Sequence, residues 1–210
     1  MNVVFDFAGV VFRWHPPSLL ARELPHRATT QAAAKRLVAE FFQDYGGDWQ
    51  EFDRGTIEVQ ALVERIAART RLGHDEVRRV VDGVPRELQP VPETIALMQR
   101  VKQTGHRLYF LSNMPAPYAD HLERSHSFFE WFDGGVFSSR VKMVKPDAVI
   151  YRHALQQFGA KANESVFLDD HAPNIDAARA EGLHGVLFVD AAQAERQLLE
   201  LGVLRAEGGG

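Results

Sequence analysis

The chain has no cysteine among its 210 residues. That excludes disulfides, thiolate metal sites and a cysteine nucleophile. It also lacks a basic run: 24 basic residues are set against 28 acidic ones, for a formal net charge of −4. Nucleic-acid binding through phosphate neutralisation is therefore not expected. No apolar stretch is long enough to span a bilayer, and the N-terminus lacks the basic start of a secretory signal. No membrane partner is expected, and a cytoplasmic home is. The histidines nowhere fall at the spacing of a zinc-binding helix. What remains is an ordinary globular composition, 45% hydrophobic and 25% charged. Gly208, Gly209 and Gly210 close the sequence, and 206–210 is read as a flexible tail.

Five short apolar runs read as strands: Asn2–Asp6, Arg107–Leu111, Gly135–Ser138, Ser165–Asp169 and Gly185–Val189. From Arg107 onward they alternate with helical patterns. Ile95, Leu97, Met98 and Val101 recur at helical spacing before Gly105, as do Val149, Ile150, Ala154, Leu155 and Phe158 before Gly159. Strand–helix repetition of this kind predicts an α/β fold with a doubly wound parallel sheet covered on both faces. The stretch from Pro16 to Pro90 breaks the pattern, with helical periodicity and no convincing strand. Helices are predicted over Ala32–Phe42, over Ile57–Thr70 with Thr56 as N-cap, and over His74–Val84. Asp53-Arg54-Gly55 reads as a turn between helices. The expected division is a core of 1–15 and 91–205 with a helical insertion at 16–90.

The ends of the predicted strands carry the chemistry. Asp6 follows the first, Ser112 the second, Lys145 lies just beyond the third, and Asp169 and Asp170 follow the fourth. In a parallel sheet these ends open on one edge, where such folds place their sites. A nucleophilic carboxylate, a hydroxyl donor, a lysine and an acid pair can together hold a phosphoryl group and a divalent cation in line for displacement.

In this order, Asp6-x-x-Gly9-Val10, Leu111-Ser112-Asn113, Lys145-Pro146 and Asp169-Asp170-x-x-x-Asn174 resemble the four motifs of the haloacid dehalogenase superfamily. The segment after the first motif resembles the helical cap of its subfamily I. By pattern the chain is similar to small sugar-phosphate phosphatases of the glucose-1-phosphate phosphatase type, and to the phosphatase-like domain of some epoxide hydrolases. Phe52-Asp53-Arg54-Gly55-Thr56-Ile57 resembles the same group. The resemblance implies a Rossmann-like core and a Mg²⁺-dependent hydrolase of small phosphorylated metabolites, sugar phosphates favoured. Asp6 would be the nucleophile, forming an aspartyl-phosphate, and also a metal ligand. The Ala8 backbone carbonyl would be a second ligand. Ser112, helped by the Asn113 backbone, would bind a phosphoryl oxygen, and Lys145 would offset charge beside it. Asp170 would be the acidic metal ligand, with Asp169 sharing that role or orienting Lys145, and Asn174 would support the metal shell. Oxygen ligands suit Mg²⁺ rather than Zn²⁺.

One position departs from the pattern. Phosphatases of that superfamily carry a second Asp two residues after the nucleophile, as general acid and base; here it is Ala8. General acid–base help is worth roughly 10²–10⁴-fold. The acid then comes from elsewhere, or the leaving group is good enough to need less protonation, or the reaction is not phosphoryl transfer. Metal-independent 2-haloacid dehalogenases also lack that Asp, but Asp169-Asp170 beside a third carboxylate would repel an anionic substrate without a cation. A ligand- or partner-binding scaffold with little catalysis is the third reading.

Overall fold

The computed structural model describes residues 1–205; the expected tail at 206–210 lies outside the described residues. Its strands are β1 (Asn2–Phe5), β2 (Arg107–Ser112), β3 (Gly134–Phe137), β4 (Ser165–Asp169) and β5 (His184–Leu187). They form one sheet in the order β3-β2-β1-β4-β5, all neighbours parallel. Each corresponds to a predicted apolar run. The differences are at the ends: β1 stops at Phe5, β2 runs on through Ser112, and β3 and β5 each begin one residue earlier and stop short of Ser138 and Val189.

Between β1 and the rest of the sheet lie α1 (Pro16–Glu23), α2 (Gln31–Phe42), α3 (Gly47–Arg54), α4 (Val59–Thr70) and α5 (His74–Glu87). The remaining helices are α6 (Pro92–Gln103), α7 (Ala116–Ser125), α8 (Ser138–Val141), α9 (Ala148–Phe158), α10 (Ala172–Ala180) and α11 (Ala191–Glu200). No helix among the described residues is long and apolar enough to cross a membrane.

The period-two alternation of strands sorts the core into two faces. Val3 and Phe5 of β1, Leu108 and Phe110 of β2, and Val166 and Leu168 of β4 bury on one side with α6, α7 and α11. Val4, Tyr109, Leu111 and Phe167 bury on the other with α9 and α10. The apolar residues of α1–α5 join the first of these clusters, so that face of the sheet and the helical segment share one continuous apolar core. Phe7, directly after Asp6, is its hub. It stacks on Phe110 at 4.6 Å and meets Phe12, Phe129, Phe132 and Phe137 at 5.3–5.8 Å.

Four local expectations are corrected. Thr56 does not cap α4; its hydroxyl donates to Glu51 O at 2.9 Å, closing the end of α3, and Glu58 takes the N-cap position. Asp53 and Arg54 are not a turn but the last residues of α3, and only Gly55 turns, at φ 70°. Pro146, a residue type favoured at the first position of a helix and so expected to start the next one, does not begin it: α9 starts at Ala148. Finally, α5 continues past Val84 through Pro85 to Glu87. Proline there cannot donate to the carbonyl of Val81 four residues back, and that carbonyl accepts instead from the Tyr118 hydroxyl of α7 at 2.8 Å.

Truncating the aromatic hub should be costly. Phe7→Ala is expected to remove about 3–5 kcal/mol of stability, read as a lower urea midpoint with an unchanged m-value; a shift below about 1 kcal/mol would mean that the hub repacks.

Candidate active site

β1 and β4 end side by side, with Phe5 paired to Leu168. The Asp6 amide donates to Leu168 O at 2.9 Å, which carries the pairing one residue beyond the strand. The two chains therefore leave the sheet as Asp6 and as Asp169-Asp170 at a common edge. Lys145, from the loop between α8 and α9, enters between them. Its Nζ lies 2.9 Å from Asp6 Oδ1 and 2.6 Å from Asp169 Oδ2, and all three side chains are buried. The ammonium also lies 5.2 Å from the centre of the Phe167 ring.

The two adjacent aspartates do different things. Asp169 is fully buried and surrounded by donors: Lys145 Nζ, Asn174 Nδ2 at 3.1 and 3.0 Å, and the His171 amide at 2.8 Å. It orients Lys145. Asp170 instead faces the cavity in front of Asp6, and its carboxylate passes directly over Gly9. A Cβ on Gly9 would fall 2.3 Å from Asp170 Oδ2, and Gly9 itself has φ +86°, so both space and backbone demand glycine there.

Asn113 ties the second and third motifs together. Its Nδ2 donates to Lys145 O at 3.0 Å and its Oδ1 accepts from Lys145 N at 2.9 Å. Ser112 is fully buried, and its Oγ has no hydrogen-bond partner among the described residues. The rival cations are engaged elsewhere: Arg140 with Asp120 and Glu123, Lys142 with Gly55 O. Asp6, Ala8, Asn113, Lys145, Asp170 and Asn174 line one cavity of about 340 Å³, while Ser112 and Asp169 sit behind its wall.

The electrostatics argue for a cation. One oxygen from each of Asp6, Asp169 and Asp170 lies within 4.8 Å of the others, and one buried ammonium faces all three carboxylates. The cluster carries two uncompensated negative charges in a poorly hydrated place. Burial, reinforced by Asp169 and Asp170 against the pull of Lys145, pushes the Asp6 carboxyl up to about 7. Burial and Asp169 raise Asp170 as well. Burial works against the Lys145 charge, but Asp169 and Asp6 overcome it and hold that ammonium above its ordinary value. Asp6 Oδ1 is buried with no well-directed hydrogen bond despite its ion pair. A hard divalent cation fits this oxygen set in charge and in chemistry.

One further residue was read only as part of a turn. Asp53, on the last turn of α3, is 6% exposed and lines the same cavity. Burial pushes its carboxyl up to about 8, with Lys145 lowering and Asp6 raising it. Its placement depends on how the helical segment folds over the sheet edge, which no local pattern reveals. The cavity wall above the carboxylates is largely apolar, from Trp14, Trp49, Val84, Leu88, Met114 and Tyr118.

The haloacid dehalogenase-like hydrolase family matches residues 1–182. The chain belongs to that family. Among curated relatives, the sesquiterpene phosphatase astK of Aspergillus oryzae is 29% identical over 94% of this chain and 94% of its own length. The drimenol cyclase drtB of Aspergillus calidoustus is 25% identical over 95% of this chain, which spans only 36% of that protein. Among solved structures, a family enzyme of Bacteroides thetaiotaomicron, in complex with magnesium and inorganic phosphate, superposes with a TM-score of 0.68. It is 16% identical, with 88% of this chain and 92% of that one covered, and so shows the shared fold. This hydrolase thus has the expected doubly wound core.

The buried acids set a pH dependence. Unfolded, Asp53 gives up its proton near the ordinary 3.8; folded, it keeps it to about 8. The stabilisation from this group is complete below 3.8 and is lost as pH rises to 8. In EDTA, Asp53→Asn should therefore gain melting temperature relative to the parent between pH 5 and 8.5. A constant difference across that range would contradict the burial argument.

Proposed function

We propose that this hydrolase is a Mg²⁺-dependent phosphomonoesterase that works through an aspartyl-phosphate on Asp6. The observation that carries the reading is the carboxylate cluster with its single lysine: two charges short of balance, at the mouth of a cavity, on the edge where a parallel sheet opens. A dehalogenase needs no such excess of acid, since its anionic substrate would be repelled by it. The magnesium and phosphate bound by the structural relative from Bacteroides thetaiotaomicron, and the phosphatase activity in the name of the Aspergillus oryzae relative, support the same reading.

Asp6, Asp170 and the Ala8 carbonyl would hold Mg²⁺, which when bound supplies charge balance for the phosphoryl oxygens. Lys145, held by Asp169, favours the ionised form of Asp6 against the effect of burial and opposes the charge that gathers on the phosphoryl group. The unpartnered Ser112 hydroxyl is a donor for one of its oxygens, with Asn113 fixing the loop beside it. Asn174 holds Asp169 and so supports the shell indirectly. The segment 16–90 acts as a cap whose residues close the cavity and exclude water.

The expectation of a sugar phosphate gives way to a more apolar ester. A sugar offers a hydroxyl at nearly every carbon, and each needs a partner when buried. Polar side chains such as Gln50, Asp44 and His171 occupy part of the lining, but the broad wall formed by Trp14, Trp49, Val84, Leu88 and Met114 offers no partner besides the Trp N–H groups. It suits a hydrocarbon alcohol, and a cavity of about 340 Å³ lies within the range for small-ligand sites. The sesquiterpene phosphatase relative supports an isoprenoid monophosphate.

Phosphate release should be measured from an isoprenoid monophosphate, glucose 1-phosphate and an acyl phosphate, each with Mg²⁺ and with EDTA. Chloride release from 2-chloropropionate should run in parallel. Mg²⁺-dependent phosphate release, fastest from the isoprenoid ester, is expected; metal-independent chloride release would move the protein to the dehalogenases. Asp6→Asn should fold normally yet lose at least about 10³-fold in kcat, as loss of a nucleophile requires. Substantial turnover by that variant would exclude the covalent mechanism.

A further inference from the structure

An alcohol with a hydrocarbon chain is a poor leaving group, so a phosphomonoesterase acting on one needs a proton at the ester oxygen. Ala8 has no titratable group to give. Lys145 is held between two carboxylates, and Asp169 is enclosed by donors. Tyr118 donates its proton to Val81 O, and burial raises its pKa well above the ordinary value. Asp170 belongs to the cation cluster. Asp44 and His171 also line the cavity but are exposed to solvent. Asp53 is the buried candidate: a carboxyl only 6% exposed, on the wall of the cavity that Asp6 also lines, with no hydrogen bond or ion pair to any described residue.

Its position is not accidental to the packing. The Ser138 hydroxyl donates to Asp53 O while accepting from the Met114 amide at 2.9 Å, so one side chain ties α3 to the loops after β2 and β3. Arg54 pairs with Asp147 at 3.3 Å, two residues from Lys145. Lys142 holds Gly55 O, and a Cβ on Gly55 would meet Ser139 O at 2.8 Å. Three successive residues of the helix end are thereby registered against the loop that carries Lys145, with the Asp53 side chain left over for the cavity. A buried carboxyl that keeps its proton to about 8 is an acid at neutral pH.

We propose that Asp53 is the general acid and base of this site, supplied by the helical segment in place of a group at position 8. The proposal rests on the phosphomonoesterase reading. In the first step an Asp6 oxygen bonds to phosphorus, the phosphorus–oxygen ester bond breaks, and the Asp53 proton passes to the departing oxygen, which leaves as the alcohol. In the second, the Asp53 carboxylate takes a proton from water as its oxygen attacks the aspartyl-phosphate. The Asp6–phosphorus bond breaks, releasing hydrogen phosphate and restoring both carboxyl groups.

The test compares decyl phosphate, with a poor leaving group, and p-nitrophenyl phosphate, with a good one, on the parent, Asp53→Asn and Asp53→Ala, all with Mg²⁺. The kcat ratio of the two esters within one sample does not depend on the fraction folded. Both variants should lose roughly 10²–10⁴-fold on decyl phosphate. On p-nitrophenyl phosphate they should give a burst of about one p-nitrophenolate per protein, followed by slow turnover as the aspartyl-phosphate awaits its base. An unchanged ratio without a burst, while the parent is active, would overturn the role of Asp53 alone. A parent that hydrolyses neither ester would instead bring down the phosphomonoesterase reading and the proposal with it.

Discussion

The site is organised around one buried ammonium. Taking Lys145 out of water costs several kcal/mol unless charges of the opposite sign meet it, and Asp6 and Asp169 do so from two adjacent strands. The pairing is asymmetric. Asp169 is saturated by Asn174 and the His171 amide and acts as a fixed anchor. Asp6 has only the lysine and the cavity. The same ammonium that anchors the loop therefore also holds Asp6, the proposed nucleophile, at the cavity. Asn113 completes the arrangement by clasping both backbone groups of Lys145, which makes the loop after β2 and the loop before α9 a single unit.

The helical segment is joined to this unit by polar contacts set in an apolar interface. Its core is continuous with one face of the sheet, so it does not float over the site. Tyr118 reaches the carbonyl freed by Pro85, Ser138 reaches Asp53 O, and Arg54 reaches Asp147. Each contact is within a few residues of a cavity-lining side chain. Small rotations of the segment would change the depth of the cavity and the placement of Asp53 together, which in the proposed reaction would couple recognition of the alcohol to chemistry on it.

Much of this was legible in the residues. Asp6 and the Asp169-Asp170 pair declare themselves because each ends a continuous apolar run, and a strand buried on both faces tolerates a carboxylate only where it leaves the sheet; Lys145 is legible instead by its place in the motif Lys145-Pro146. The division of labour between Asp169 and Asp170 was not legible, because it depends on which way two adjacent side chains leave the strand and on a glycine remote in sequence. Asp53 was missed for a related reason. Asp53-Arg54-Gly55 reads as a turn between helices, and only the placement of α3 against Ser138 turns Asp53 inward. Thr56 and Pro146 misled because their local preferences, capping a helix and starting one, were overridden by contacts to Glu51 and by the turn that the Asp147 amide closes onto Val144 O.

The strand order has a consequence for the chain as it is made. β1 lies at the centre of the sheet, yet both of its neighbours come far later, β2 roughly a hundred residues on and β4 further still. At about 5–20 residues per second of synthesis, the apolar Val3-Val4-Phe5 run waits for seconds without a partner on either side. During that interval the helices between 16 and 103 are made and can shield it. A segment that lines the candidate site is thus also made early enough to shelter the strand that leads into Asp6.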